Sequence, residues 1–385
     1  MSQLGAPPTP PPYREPALPP PSRPQSSDIP AWVLLVAGIA ALAVAATLGF
    51  VVVKGRGSHP PVAPQTAPRH HYPKHWNHKI APLANIAAKD RGLSFEHAVP
   101  VRFLSPKAFR KSLHSEDGKV TKHDRREIGQ ATGELRAIGL LSGKVDLLRA
   151  SSDANDAEIL AYYSFKDKRI TVRGRTLTPS IKATLVHELT HVLQDQHFHI
   201  GHRLRVLQKS HANDEQYDVL DAIVEGDADR VEQIYTDSLT PAQRRALDAN
   251  RRQESTQAKA GLKGIPPVVV ALLQAPYALG ISLTTAAAFD GGNSEVDRLL
   301  RHAPTHDSVL LDPFRELAGT TGSARVAVPP LRSGEKKLEH GEFGAVSLYL
   351  MLASRLPATQ ALAAADGWAG TPTRPTGPAA PPACG

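Results

Sequence analysis

His187 and His191 stand four residues apart with Glu188 between them, and this spacing constrains the chain more than any other stretch of it. On a helix, residues i and i+4 share a face, so both imidazoles can reach one ion at about 2.0–2.1 Å. Glu188 then projects beside the ion, where a metal-activated water would lie within reach of a carboxylate base. In a chain with 17 His the pentapeptide His187-Glu188-Leu189-Thr190-His191 is a weak signal alone, and its setting decides what it means. Thr178 to Phe198 reads as one helix. Pro179 sits near its first turn, and Ile181, Leu185, Val186, Leu189, Val192 and Leu193 form an apolar stripe. The histidine pair is therefore expected on a half-buried helix. Upstream, the segments 158–165 and 169–173 read as two strands joined at Lys166-Asp167-Lys168, and a strand edge there could hold an extended peptide.

A catalytic zinc site takes three protein ligands and keeps the fourth position open. Two places supply candidates for the third. His197 follows His187 by ten residues, the spacing of HExxHxxGxxH enzymes, but Gln194 stands where the glycine should be. Without that glycine the helix continues and carries His197 about 240° around the axis from His191, away from the metal. The only methionines, Met1 and Met351, offer no methionine turn, since Met351 falls in the apolar run Val346 to Leu352. Glu225 is the better candidate. Leu220, Ile223, Val224, Val231 and Ile234 recur at helical spacing around it, and Gly226 and Ala228 leave room for a second helix to approach closely. Asp221 and Asp229 flank Glu225 at i−4 and i+4 and stay open as alternative ligands, while Asp229 is also placed to accept the second N–H of a ligating imidazole. Asp227 falls on the apolar face as a supporting carboxylate.

His-Glu-x-x-His followed on a later helix by Glu225-x-x-x-Asp229 resembles the gluzincin zinc metallopeptidases. The longer strings from His187 to His197 and from Val224 to Ala228 are similar to a narrower family of membrane-anchored, largely uncharacterised bacterial metallopeptidases. Weaker matches are Ala275-Pro-Tyr-Ala-Leu-Gly280, Gly341-Glu-Phe-Gly344 and Gly367-Trp-Ala-Gly370. The resemblance spans roughly residues 80 to 370. It implies Zn2+ held by His187, His191 and Glu225, with Glu188 as the base. At its end the chain departs from that pattern: Thr371 opens a stretch rich in Pro, Thr, Ala and Gly, which implies a shortened C-terminal lobe.

Ala31 to Val53 is an uncharged apolar run of 23 residues, long enough to cross about 30 Å of hydrocarbon as one helix. Residues 1–30 are Pro-rich and polar and lack the short basic start of a cleavable leader, so the run reads as an uncleaved single-pass anchor at the cell membrane. Segment 54–80 is a basic, His-rich linker, 81–370 the metallopeptidase-like domain and 371–385 a tail. Long domains translocate largely regardless of flanking charge, and the large domain is expected outside the cytoplasm. The single cysteine, Cys384, excludes an intramolecular disulfide. The net charge of +8 is spread along the chain without a nucleic-acid-binding motif, so nucleic acid is not an expected partner.

Helical patterns dominate, over 122–142, 178–198, 215–238, 241–257, 267–275, 295–302 and 344–355, with strands near 99–104 and in the hairpin. The expected class is mainly α with a small β-hairpin or sheet, an α+β fold of the two-lobe gluzincin kind behind one transmembrane helix. The expected activity is hydrolysis of peptide or protein amides. A cell-envelope protein that binds the same zinc without turnover is the alternative. Tyr277, His306 and Glu342 are candidates for steadying an oxyanion.

Overall fold

The computed structural model describes residues 71–116, 120–208, 214–319, 324–326, 343–366 and 370–372, with single positions at 330 and 368. The Pro-rich segment 1–30, the apolar run 31–53, linker residues 54–70, Glu342 and residues 373–385 lie outside the described residues. The protein is mainly helical with a small sheet, an α+β fold. The order is α1 (Ala81–Arg91), β1 (Val101–Leu104), α2 (Pro106–Glu116), α3 (Lys122–Ala137), α4 (Leu147–Glu158), β2 (Ala161–Ser164), β3 (Arg169–Arg173), α5 (Pro179–Phe198), α6 (Ile200–Gln208), α7 (Asp214–Asp237), α8 (Pro241–Gly261) and α9 (Pro267–Arg301). A 3-10 turn at Asp307–Leu310 follows, then α10 (Pro313–Leu317), β4 (Ala324–Val326), α11 (Ala345–Ala353), α12 (Ala358–Asp366) and β5 (Gly370–Pro372).

The larger sheet is mixed, in the order β1-β3-β2, and β4 and β5 pair in parallel as a second one. β1 runs parallel to β3 with Val101 opposite Ile170, and β2 runs antiparallel with Ala161 opposite Val172, so β2 is an edge strand. The hairpin turns at Lys168, which takes a left-handed φ of 52° and closes on Ser164 O at 2.7 Å. β2 begins at Ala161 and not at 158, because Asp146 caps α4 through Arg149 N and that helix runs on to Glu158.

α5 starts as its sequence requires, with Thr178 Oγ1 accepting from Ile181 N and Pro179 in the first turn. It ends only at His199, in the left-handed conformation with φ 54°. Its apolar stripe joins α1, β2, β3 and Leu247 of α8 in one core cluster. A second cluster gathers α6, α7, α9 and the 3-10 turn.

α9 is the largest departure from the sequence patterns. Pro276 removes a backbone donor and crowds the carbonyl one turn back, so the 267–275 pattern reads as ending there. The structure instead carries the helix through Pro276 and joins it to 295–301 across a kink at Gly291 and Gly292. Packing overrides the local cost: Val268 to Ala271 before the proline and Tyr277, Ala278 and Leu283 after it are buried. Among the described residues α9 is the one helix long and apolar enough to cross a membrane, and half of its most apolar stretch is buried in the protein.

The close approach anticipated at Gly226 is made by α9. A Cβ on Gly226 would lie 2.1 Å from the carbonyl carbon of Gly280, and one on Gly280 would lie 1.8 Å from Ala222 O. The two backbones touch. Gly226→Ala gains about 1 kcal/mol of helix propensity but forces the helices apart, a strain of about 1–3 kcal/mol that also opens the surrounding contacts. Urea denaturation should show a net loss of about 1–2 kcal/mol. An unchanged or raised midpoint would disprove the contact.

Candidate metal centre

α5 and α7 bring three ligand atoms into one small triangle. His187 Nε2 and His191 Nε2 are 3.0 Å apart, and Glu225 Oε2 lies 3.2 Å from the first and 3.3 Å from the second. Two ligands at about 2.05 Å from one ion at the tetrahedral angle are separated by about 3.3 Å, so the triangle has the dimensions of three corners of a tetrahedron. His187, His191 and Glu225 thus form a cluster able to hold a metal ion. His187, Glu188 and Glu225 are wholly buried, and His191 is nearly so. Glu188 Oε1, Glu225 Oε1 and the Tyr277 hydroxyl are buried without a hydrogen-bond partner, which leaves acceptors and a donor beside the triangle for a cation and what it binds.

The neighbours set which ring nitrogen faces the triangle. Gln194 Nε2 donates to Val224 O at 2.9 Å and to Asp227 Oδ2 at 3.0 Å, so its amide cannot be reversed without opposing oxygen to oxygen. Gln194 Oε1 therefore faces His191 Nδ1 at 2.9 Å and accepts its proton. The Nε2 lone pair of His191 is then free for a cation. On the other ring, Asp229 Oδ1 lies 3.0 Å from His187 Nδ1, an oblique approach that falls short of a well-directed hydrogen bond. Glu232 Oε2 is 3.9 Å from the same nitrogen, and its other oxygen accepts from Arg251 at 2.6 Å. His187, Asp229 and Glu232 also have the spacing of a metal site. A neutral imidazole that ligates through Nε2 carries its proton on Nδ1, so the two carboxylates are placed to receive that proton.

The electrostatics follow from burial among unlike charges. Burial pulls His187 down, but Asp229 and Glu225 outweigh it and raise its pKa well above the ordinary value. Burial likewise opposes charge on His191, and Glu225 reverses that. Burial pushes Glu225 up, yet His191 and His187 hold it well below the usual carboxylate range. A cation would take the place of the protons that the two rings otherwise hold, so binding it releases protons. Glu188 behaves differently. Burial pushes it up to about 7 against the pull of His191 and His187, while Tyr163 N–H donates to its Oε2 at 2.7 Å.

Of the other sequence candidates, Tyr277 is brought to the cluster, its ring stacked on His187 at 6.2 Å between centroids. His306 is not: it pairs with Glu215 at 3.2 Å, ten residues before Glu225 and so about 15 Å away along α7. His197 is exposed and donates to Ser94 O at 2.7 Å, as the uninterrupted helix requires. Asp221 is buried but stays outside the ligand triangle. Asp227 supports Gln194 and is itself held by Arg91 at 2.7 Å and Arg230 at 2.9 Å. Sequence reasoning passed over Gln194 as a missing glycine, although its i+3 place after His191 puts it on the same face. Glu232 was equally visible, one turn beyond Asp229. Arg91 was not, since 136 residues separate it from Asp227.

Compared with family models, with curated proteins and with solved structures, the chain matches none.

Removing Gln194 frees the His191 ring to rotate, and supporting partners of this kind contribute about 10–100-fold to metal affinity. In a competitive chelator titration, Gln194→Ala should weaken zinc binding by that factor, Glu225→Ala by more, and His197→Ala hardly at all. A larger effect at His197 than at Glu225 would contradict the assignment.

Proposed function

We propose that this protein is a membrane-anchored zinc metallopeptidase of gluzincin-like ligand set, with its large domain outside the cytoplasm. The observation that carries the proposal is the buried triangle of two imidazole nitrogens and one carboxylate oxygen with a fourth buried residue, Glu188, beside it. Two nitrogens and one oxygen at tetrahedral spacing suit Zn2+ better than the hard cations, which prefer all-oxygen shells. When bound, zinc would polarise the scissile carbonyl and lower the pKa of a water. The sheet-bearing and helical core clusters support a two-lobe reading of the fold.

The chain's own residues have separable tasks in this proposal. Glu188 takes the proton of the attacking water on Oε1, the oxygen not occupied by Tyr163 N–H, and returns it to the leaving amine. Tyr277, with an unpartnered hydroxyl and a ring stacked on His187, donates to the developing oxyanion. Gln194 holds the His191 ring with Nε2 toward the cation, and Asp229 lies beside Nδ1 of His187 to receive its proton.

Complete burial of the cluster favours one rival, a zinc-binding envelope protein without turnover, because structural zinc sites are closed. Glu188→Gln separates the two. The glutamine carbonyl can still accept from Tyr163 N–H, but the side chain cannot take a proton. Full-length Glu188→Gln should keep its zinc and its melting temperature while hydrolysis of a quenched peptide falls by about 10²–10⁴-fold. Turnover equal to wild type would refute the base. Zinc retained with no hydrolysis by the wild type would select the rival.

A further inference from the structure

A cleft of about 1230 Å³ lies between α4 and α8, walled by the first half of α5 and the start of α9. None of His187, Glu188, His191 or Glu225 lines it, yet three elements lead from it to them. Thr184 lines the cleft and precedes His187 and Glu188 by three and four residues on α5; Gln274 lines it and precedes Tyr277 by three on α9. Residues so spaced share a helix face. Leu160 lines it too and leads directly into β2, which carries Tyr163 and its bond to Glu188. Two residues of the lining are joined across it, Gln274 Nε2 donating to Glu158 Oε1 at 3.0 Å.

Among the exposed charged residues of the lining, cations outnumber carboxylates, Asp146 and Asp153 being the exposed acids. Arg110, Lys144, Arg175, Lys259 and Lys263 are exposed there, and none has an ion-pair partner among the described residues. Exposed cations are ordinary on a surface, but these five come from four separate parts of the chain, Lys259 and Lys263 lying one turn apart, and all line one opening. The cleft exceeds the 300–1,000 Å³ usual for small-molecule pockets, which favours a chain segment over a metabolite. The neighbouring β2 is an edge strand, with all four of its residues buried and Tyr163 N–H donating to Glu188.

Resting on the metallopeptidase reading, we propose that this cleft is the substrate's approach to the metal centre and that its cationic rim selects polypeptide segments rich in Asp and Glu. Such segments are drawn in by the rim's field and then pass Gln274 and Glu158, which part to admit them. The cleft thereby supplies the opening that a fully buried centre needs.

The test uses the zinc-loaded full chain in uncharged detergent, carrying Glu188→Gln so that binding is read without turnover. Fluorescence anisotropy compares three peptides of equal length, one rich in Asp and Glu, one in Gln, one in Lys and Arg. The acidic peptide should bind at least about tenfold tighter than the basic one, with the gap shrinking as salt is raised. Lys259→Glu with Lys263→Glu should erase the gap while zinc content and melting temperature stay unchanged, and Arg110→Glu, on a different helix, should narrow it. Equal binding of the three peptides, or a gap that survives charge reversal, overturns the proposal. So does loss of binding to phosphatidylglycerol vesicles in the reversed variants with peptide discrimination intact, since the rim would then serve a lipid surface. Failure of the metallopeptidase reading looks different: the acidic preference and its loss on charge reversal persist, but the chain with Glu188 restored cleaves none of the peptides.

Discussion

The packing of α5 on α7 buries more ionisable groups than a protein interior tolerates uncompensated, and the surrounding architecture follows from compensating them. Glu188, Glu225, Asp227 and Glu232 are buried on these two helices with His187 and His191. A buried carboxylate left alone costs several kcal/mol or takes up a proton. Asp227 is matched by Arg91 and Arg230 and by the amide of Gln194. Glu232 is matched by Arg251, although burial still raises it to about 7. At the ligand cluster Glu188 and Glu225 face two imidazoles, and a divalent cation would balance two carboxylates while using both ring lone pairs. Arg91, itself fully buried and bridging Asp227 to Asp297, ties α1 and α9 into the same compensation.

The helix crossing at Gly226 and Gly280 is the steric counterpart. Backbone contact there places Tyr277, three residues before Gly280, above His187. One glycine on α7 thus permits the approach, and the preceding turn of α9 brings an aromatic hydroxyl side chain to the ligand cluster. The same depth makes electrostatic interactions around the cluster strong, and none of its three ligand residues lines the cleft between α4 and α8.

Local rules made much of this legible in the chain. The i,i+4 histidines, the cap at Thr178, the helix carrying Glu225, and the small residues beside it depend on neighbours within a few turns, and they stand where the spacing places them. Asp229 near His187 was legible for the same reason. Long-range compensation was not: nothing near Arg91 in sequence announces Asp227 or Asp297, and nothing near Glu158 announces Gln274. Pro276 misled in the opposite way, since a strong local breaker is outweighed by burial on both sides of it. Gln194 was visible but misjudged, because it was weighed as a failed glycine and not as a hydrogen-bonding partner one turn from a ligand.

The proposed function requires one zinc held by two imidazoles and a carboxylate from α5 and α7. X-ray absorption at the zinc edge of the zinc-loaded full chain tests it most directly. The account predicts a four-coordinate nitrogen and oxygen shell at about 2.0–2.1 Å with the multiple-scattering signature of two imidazoles, one of which disappears in His191→Ala. A six-coordinate all-oxygen shell, or a spectrum unchanged by that substitution, would contradict it.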